Sequence, residues 1–132
     1  MIDATLAALW EVDALPLELG IALTLASGGR AETRVTVEPR HVNIHGICHG
    51  GLIFTLADTC FGFAAHSSGA ERAVTQAANI SYISPGKVGE VLTARAAVIS
   101  RAGRTGIIDV TVTAGDGRTV ALLRGQARFL PG

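Results

Sequence analysis

Apolar side chains recur along this chain at two periods, and the switches between them divide it into elements. Leu6, Leu9 and Trp10 fall on one face of a predicted helix over residues 2–15, with Asp3 placed to cap it and Pro16 to close it. From Leu17 the period drops to two. Leu17, Leu19, Ile21, Leu23 and Leu25 alternate with smaller or more polar neighbours, as in a half-buried strand. Gly28 and Gly29 signal a turn. Ala31, Thr33, Val35 and Val37 then alternate with Glu32, Arg34, Thr36 and Glu38, which predicts a hairpin. After a loop at 39–49, residues 50–66 are apolar on nearly every side, the pattern of a helix buried all round. Ser67-Ser68-Gly69 ends it. Four more strands are predicted at 73–84, 89–101, 105–114 and 118–129, broken by Pro85-Gly86, Ala102-Gly103 and Gly115-Asp116-Gly117. A single apolar helix among six strands needs a sheet to cover it. The pattern therefore predicts an α+β fold, a long antiparallel sheet curled around one central helix.

Length makes residues 1–132 a single domain with a real core. Eleven acidic and eleven basic residues give no electrostatic case for nucleic acid or an anionic membrane surface. Ten of the bases are Arg, which suits phosphate recognition better than Lys does. Cys48 and Cys60 form no CxxC and no disulfide framework, so a reducing compartment is expected. No leader pattern opens the chain and no run is long enough to span a bilayer; the expected location is the cytoplasm.

Between Arg40 and Glu71 lie thirty residues with one formal charge, Asp58. An ionised carboxylate inside an apolar helix costs several kcal/mol unless it is paired or hydrogen-bonded. Two readings follow: a structural carboxylate held by an Arg or by backbone amides, or a base or nucleophile at an apolar pocket. Phe54 and Phe61, at spacings of four and three from Asp58, either line that pocket or belong to the core. His41, His45 and His49, with Cys48, invite a metal reading. Pro39 and the glycines break helical spacing there, and HExxH is absent, so no metal and no cofactor is expected.

Gly50 and Gly51 open the long helix, where free N–H groups favour negative charge. That is the chemistry of an oxyanion hole, and equally an ordinary helix start. Gly50 and Asp58 are eight residues apart, about 12 Å along one helix. They cannot grip one small group from the same chain. If both act on one carbonyl, two copies of the helix must lie antiparallel, with the sites at a dimer interface. No GxSxG elbow, P-loop or helix-opening GxGxxG is present.

Asn43, His49-Gly50-Gly51, Leu56-Ala57-Asp58, Ser84-Pro85-Gly86 and Gly89-Glu90 together resemble the hotdog-fold acyl-CoA thioesterases. The nearest branch is the PaaI-like phenylacetyl-CoA group, with Val120 to Gly125 also in agreement. The resemblance covers about residues 35–130. It implies Asp58 as catalytic carboxylate, acting on water or directly on the thioester, with the Gly50 N–H as oxyanion donor. Asn43 would orient the thioester or the water, and Thr75 would supply a small hydroxyl. His49, Gly51, Phe54 and Phe61 would shape the substrate site, His49 by holding the loop. Arg101 and Arg104 are first choice for the CoA nucleotide, ahead of Lys87 and Arg72. The resemblance further implies a homodimer as catalytic unit, usually doubled to a homotetramer, with an aryl-acyl-CoA as substrate. Hotdog dehydratases often carry a His five residues after the Asp; here that position is Phe63. A non-catalytic acyl-CoA-binding protein remains the second reading.

Overall fold

The computed structural model describes residues 1–69 and 72–131. Two short helices, α1 (Ala4–Trp10) and α2 (Ala14–Glu18), precede strands β1 (Ala22–Ser27) and β2 (Arg30–Thr36). A 3-10 turn at Pro39–His41 leads into the long helix α3 (Gly50–Ser67). Strands β3 (Arg72–Tyr82), β4 (Val91–Ala102), β5 (Thr105–Thr113) and β6 (Thr119–Leu130) follow. All six strands form one antiparallel sheet in the order β1-β2-β4-β5-β6-β3. The sheet curls around α3, the hotdog arrangement that the sequence implied. Among the described residues no helix is long and apolar enough to cross a membrane.

Small residues let α3 lie close to the sheet. Ala31, Ala94, Ala96 and Gly125 line its track, and Phe61 lies against Gly125 so closely that a Cβ there would overlap the ring. Thr33 Oγ1 donates to Leu56 O at 3.0 Å, tying β2 to the helix. The Cys60 thiol donates to Ala31 O and Ala94 O at 3.3 and 3.4 Å. Burial pushes the Cys60 thiol up to about 12 and Cys48 up to about 11, so neither presents a thiolate at neutral pH.

Three local expectations are corrected. The N-terminal helix is two short ones, and Pro16 does not close the first. It sits in the first turn of α2, where the missing N–H would have had no helical acceptor. Leu17 therefore belongs to α2, and β1 starts only at Ala22. Within β1 a bulge between Leu23 and Leu25 shifts the phase, so Ala26 is fully buried while Leu25 is half-buried. Finally, α3 is not buried all round. Leu52, Leu56, Ala57, Cys60, Phe61 and Ala64 meet the sheet, whereas Thr55, Asp58, Thr59, Gly62 and His66 form a partly exposed stripe.

β3 stands at the sheet edge and is exposed along nearly its whole length. From Ala73 to Tyr82 it carries no charge. Such an edge lacks the lysines and prolines that ordinarily guard one.

Candidate active site

The N-terminus of α3 is built around His49. At the N-cap position its Nδ1 accepts the Gly51 N–H at 2.8 Å, which places the ring proton on Nε2. Its carbonyl accepts the Leu52 N–H at 3.0 Å. Among the described residues nothing accepts the Gly50 N–H, which is thus the first helix donor left available. A side chain at 51 would displace the His49 cap, whereas one at 50 asks the exposed Tyr82 ring to move by a few tenths of an ångström. A Cβ at 51 would stand 2.9 Å from His49 Nδ1, and one at 50 would stand 3.3 Å from the Tyr82 ring. Tyr82 also donates its hydroxyl to Gly50 O at 3.0 Å, bracing the helix start from β3.

The preceding loop is equally fixed. Asn43 Oδ1 accepts the His45 N–H at 2.8 Å and the Ile47 N–H at 3.4 Å, an Asx-type turn. The Cys48 N–H donates to Gly86 O at 2.8 Å. Gly86 must be small because a Cβ would come within 3.1 Å of Leu92 and 3.2 Å of Cys48. Arg118 clamps the Ser84-Pro85-Gly86 turn, donating to Ser84 Oγ, to Pro85 O and to both Glu90 carboxylate oxygens. The recognisable motif is thus a brace under the helix N-terminus.

Asn43, Gly50 and Tyr82 share a cavity of about 380 Å³ with Ser84 and Pro85. Asp58 faces a different and larger one, about 640 Å³, with Phe54, Phe63, Thr59 and Thr75 on its walls. The helices α1 and α2 and the turn between them close it through Leu9, Val12, Asp13, Leu15 and Pro16. Among the described residues no ion pair or hydrogen bond engages the Asp58 carboxyl. Burial, with the charge of Asp13 added, raises its pKa above the ordinary carboxylate value. His66 lies on the same wall, with both ring nitrogens committed to backbone. Nδ1 is 2.7 Å from Gly62 O, and Nε2 accepts the Ala73 N–H at 3.4 Å.

The single chain therefore gathers Asp58, Thr75 and Phe54, and keeps Gly50 and Asn43 apart from them by the length of two helical turns. His49 and Gly51 face a third cavity beside Arg40 and His41. Phe61 is corrected: it is 1 % exposed and packs on β6, while Phe63 takes the place in the cavity wall. Arg101 and Arg104 lie at the β4–β5 turn near the C-terminal end of α3. There Arg101 stacks on Phe129, its guanidinium carbon 3.9 Å from the ring centre, and Arg104 donates to Phe129 O. His41 is structural: Nδ1 accepts the Glu38 N–H and Nε2 donates to Leu19 O. Among the described residues no cluster of three His, Cys, Asp or Glu could hold a metal. Sequence reasoning missed Asp13, Tyr82 and His66, each brought to the site from outside the recognisable motif. Asp13 could have been suspected as an acid flanked by Val12, Leu15 and Leu17.

A sheet rolled around one helix, with an open helix N-terminus and an unpaired acid two turns on, defines a hotdog domain of the thioesterase type. The model of the Thioesterase superfamily matches residues 45–121, and the chain belongs to that family. It is 38% identical to the acyl-coenzyme A thioesterase PaaI of Escherichia coli K12 over 125 residues, 95% of this chain and 89% of that protein. The E. coli PaaI structure superimposes with a TM-score of 0.92, covering 96% of this chain and 91% of that one. A Streptococcus mutans protein solved with acetyl CoA bound is 29% identical, with a TM-score of 0.79 over 83% of this chain and 88% of its own.

Proposed function

We propose that this chain is an acyl-CoA thioesterase that hydrolyses aryl-acyl-CoA esters of the phenylacetyl or hydroxyphenylacetyl type to the free acid and CoA. The carrying observation is Asp58, a carboxyl without a partner among the described residues, facing an apolar cavity walled by Phe54 and Phe63. Its volume lies within the range of small-molecule sites. The E. coli relative, named for acyl-CoA thioester hydrolysis, and the neighbour holding acetyl CoA support the same substrate class.

The chemistry needs two elements. Ionised Asp58 takes a proton from the attacking water, or adds to the thioester carbon itself to give an acyl–aspartyl anhydride that water then cleaves. The Gly50 N–H then stabilises the oxygen that gains charge, and CoA leaves as a thiolate, a far better leaving group than an alkoxide. No strong general acid is required. Thr75 stands beside Asp58, and Asn43 beside Gly50, to orient the water and the carbonyl.

The 12 Å between Gly50 and Asp58 demands that they come from two chains. The exposed stripe of α3 and the uncharged β3 edge supply the two surfaces for an antiparallel homodimer, sheet joined to sheet and helix beside helix. Two such dimers form the tetramer. Arg101 and Arg104, beside the C-terminal end of α3, contact the CoA nucleotide.

The test is complementation. Asp58→Asn removes the carboxylate. Gly50→Pro removes the amide donor at a position where proline suits a helix, after a residue already extended at φ −60°, ψ 135°. Each homodimer releases little thiol from phenylacetyl-CoA. Co-refolded in equal amounts, they recover about a quarter of wild-type activity, because half the dimers are mixed and each has one intact site. No recovery refutes the shared site. Wild type that binds CoA esters but releases no thiol is a binding protein instead.

A further inference from the structure

The large cavity holds a second carboxylate that the reaction does not use. We propose that Asp13 is a specificity-determining residue of this cavity, selecting acyl groups that carry a hydroxyl or amino hydrogen-bond donor. The proposal rests on the reading of the Asp58 cavity as the acyl site.

Three observations carry it. First, Asp13 lines the same cavity as Asp58 but from a different element, the turn between α1 and α2. Its neighbours on that wall, Leu9, Val12, Leu15 and Pro16, are all apolar. Second, Asp13 stands at the N-cap position of α2, where an Asp ordinarily accepts a backbone N–H, and its side chain makes no such bond. Among the described residues its carboxylate forms no ion pair and no hydrogen bond. Helix capping therefore does not account for this acid. Third, His66 on the same wall has both ring nitrogens engaged with backbone, so neither is left for Asp13. A half-buried carboxylate on the apolar wall of a cavity is satisfied by a donor on the occupant. Burial also raises the Asp13 pKa, and the nearby charge of Asp13 raises that of Asp58, so the two carboxyls share one space.

The experiment compares kcat/KM for two matched pairs: phenylacetyl-CoA with para-hydroxyphenylacetyl-CoA, and hexanoyl-CoA with omega-hydroxyhexanoyl-CoA. Wild type, Asp13→Asn and Asp13→Leu are measured. Wild type favours the hydroxylated member by about tenfold to a hundredfold, the range for a hydrogen bond to a charged group. Asp13→Leu reverses the preference, and the near-isosteric Asp13→Asn reduces it to within a few-fold. A merely structural role would leave these ratios unmoved in any variant that folds. Asp13→Asn also shifts the acid limb of the pH profile downward, since a negative charge facing Asp58 is gone. A hydroxyl preference unchanged in Asp13→Leu overturns the proposal. Higher kcat/KM on the alkyl pair than on the aryl pair overturns the aryl reading alone, and the ratio within the alkyl pair still judges Asp13.

Discussion

Asp58→Asn should have opposite effects on activity and on stability. The substitution keeps shape and removes charge. A positioned general base contributes about a hundredfold to ten-thousandfold, and kcat should fall by that factor. Stability should rise. Burying an unpaired ion fully costs several kcal/mol. The Asp58 carboxyl keeps contact with the open cavity, so only part of that penalty survives, about 1 kcal/mol after solvent screening. For a domain of this size the Asn variant should melt about 4 °C higher at neutral pH. The sign has a pH signature. The folded-state pKa of Asp58 is raised above the unfolded value, so the fold binds the proton more tightly than the unfolded chain does. That contribution to wild-type stability is complete below the unfolded pKa, about 3.9, and is lost as pH rises through the raised folded value. The gap between variant and wild type should therefore open above that window and close below it. Calorimetry at fixed protein concentration from acid to neutral pH, beside thiol-release kinetics, measures both. Wild-type turnover in the Asn variant would refute the catalytic assignment. A lower melting temperature at neutral pH would show that the carboxylate is held by favourable contacts, contrary to the geometry.

The wild-type profile of kcat/KM should fall on the acid side at a pH above the ordinary aspartate range, because burial and Asp13 both raise Asp58 and the ionised form is the reactive one; a limb at or below the ordinary value would contradict this. Gly125→Ala should destabilise by about 1–3 kcal/mol, because the new methyl overlaps the Phe61 ring and a fully buried ring has little room to yield. Denaturant titration reads that cost, and a neutral result would mean that α3 can shift away from β6.

The parts of the fold legible in the sequence were those whose hydrophobic period is set by contact with one long partner. Strands β2 and β5 alternate against α3 along their lengths, so their inward residues follow from the period alone; in β6 Val120 and Leu122 share a period-two face by spacing, yet Val120 is buried and Leu122 exposed. Residues 1–25 were harder. Leu17 and Leu19 fit a strand by spacing, yet Pro16 with α2 and the bulge after Leu23 reset the phase, and neither device has a period to detect. Asp58 stood out because one charge in thirty residues is anomalous on any fold. Phe61 was assigned to the wrong place because a three-residue step from Asp58 fits either side of a helix; only the gap left by Gly125, sixty-four positions away, decides that the ring turns to the sheet. Asp13, suspect only as an acid among leucines and a valine, has a meaning that depends on a wall supplied by α3 and β3.

Among the described residues of the isolated protomer three features are individually unfavourable: a helix-start N–H without an acceptor, a carboxyl without a partner, and an eleven-residue edge strand with one free side. Each has a cheap local remedy that this chain does not use. A serine could cap Gly50, an arginine could pair Asp58, and a lysine could guard β3. Their coexistence makes sense if one association event addresses them together. In the proposed antiparallel dimer the β3 edge finds its hydrogen bonds in the partner sheet. That pairing sets the register of the two helices, and the register decides which residue of one helix faces Gly50 of the other. An eight-residue offset between donor and acid then places each acid opposite the other chain's free amide, leaving the carbonyl of a thioester to fill the space between them. In that dimer the edge strand would set active-site geometry as well as pair the sheets, and any change that slips its register should abolish turnover without unfolding either protomer.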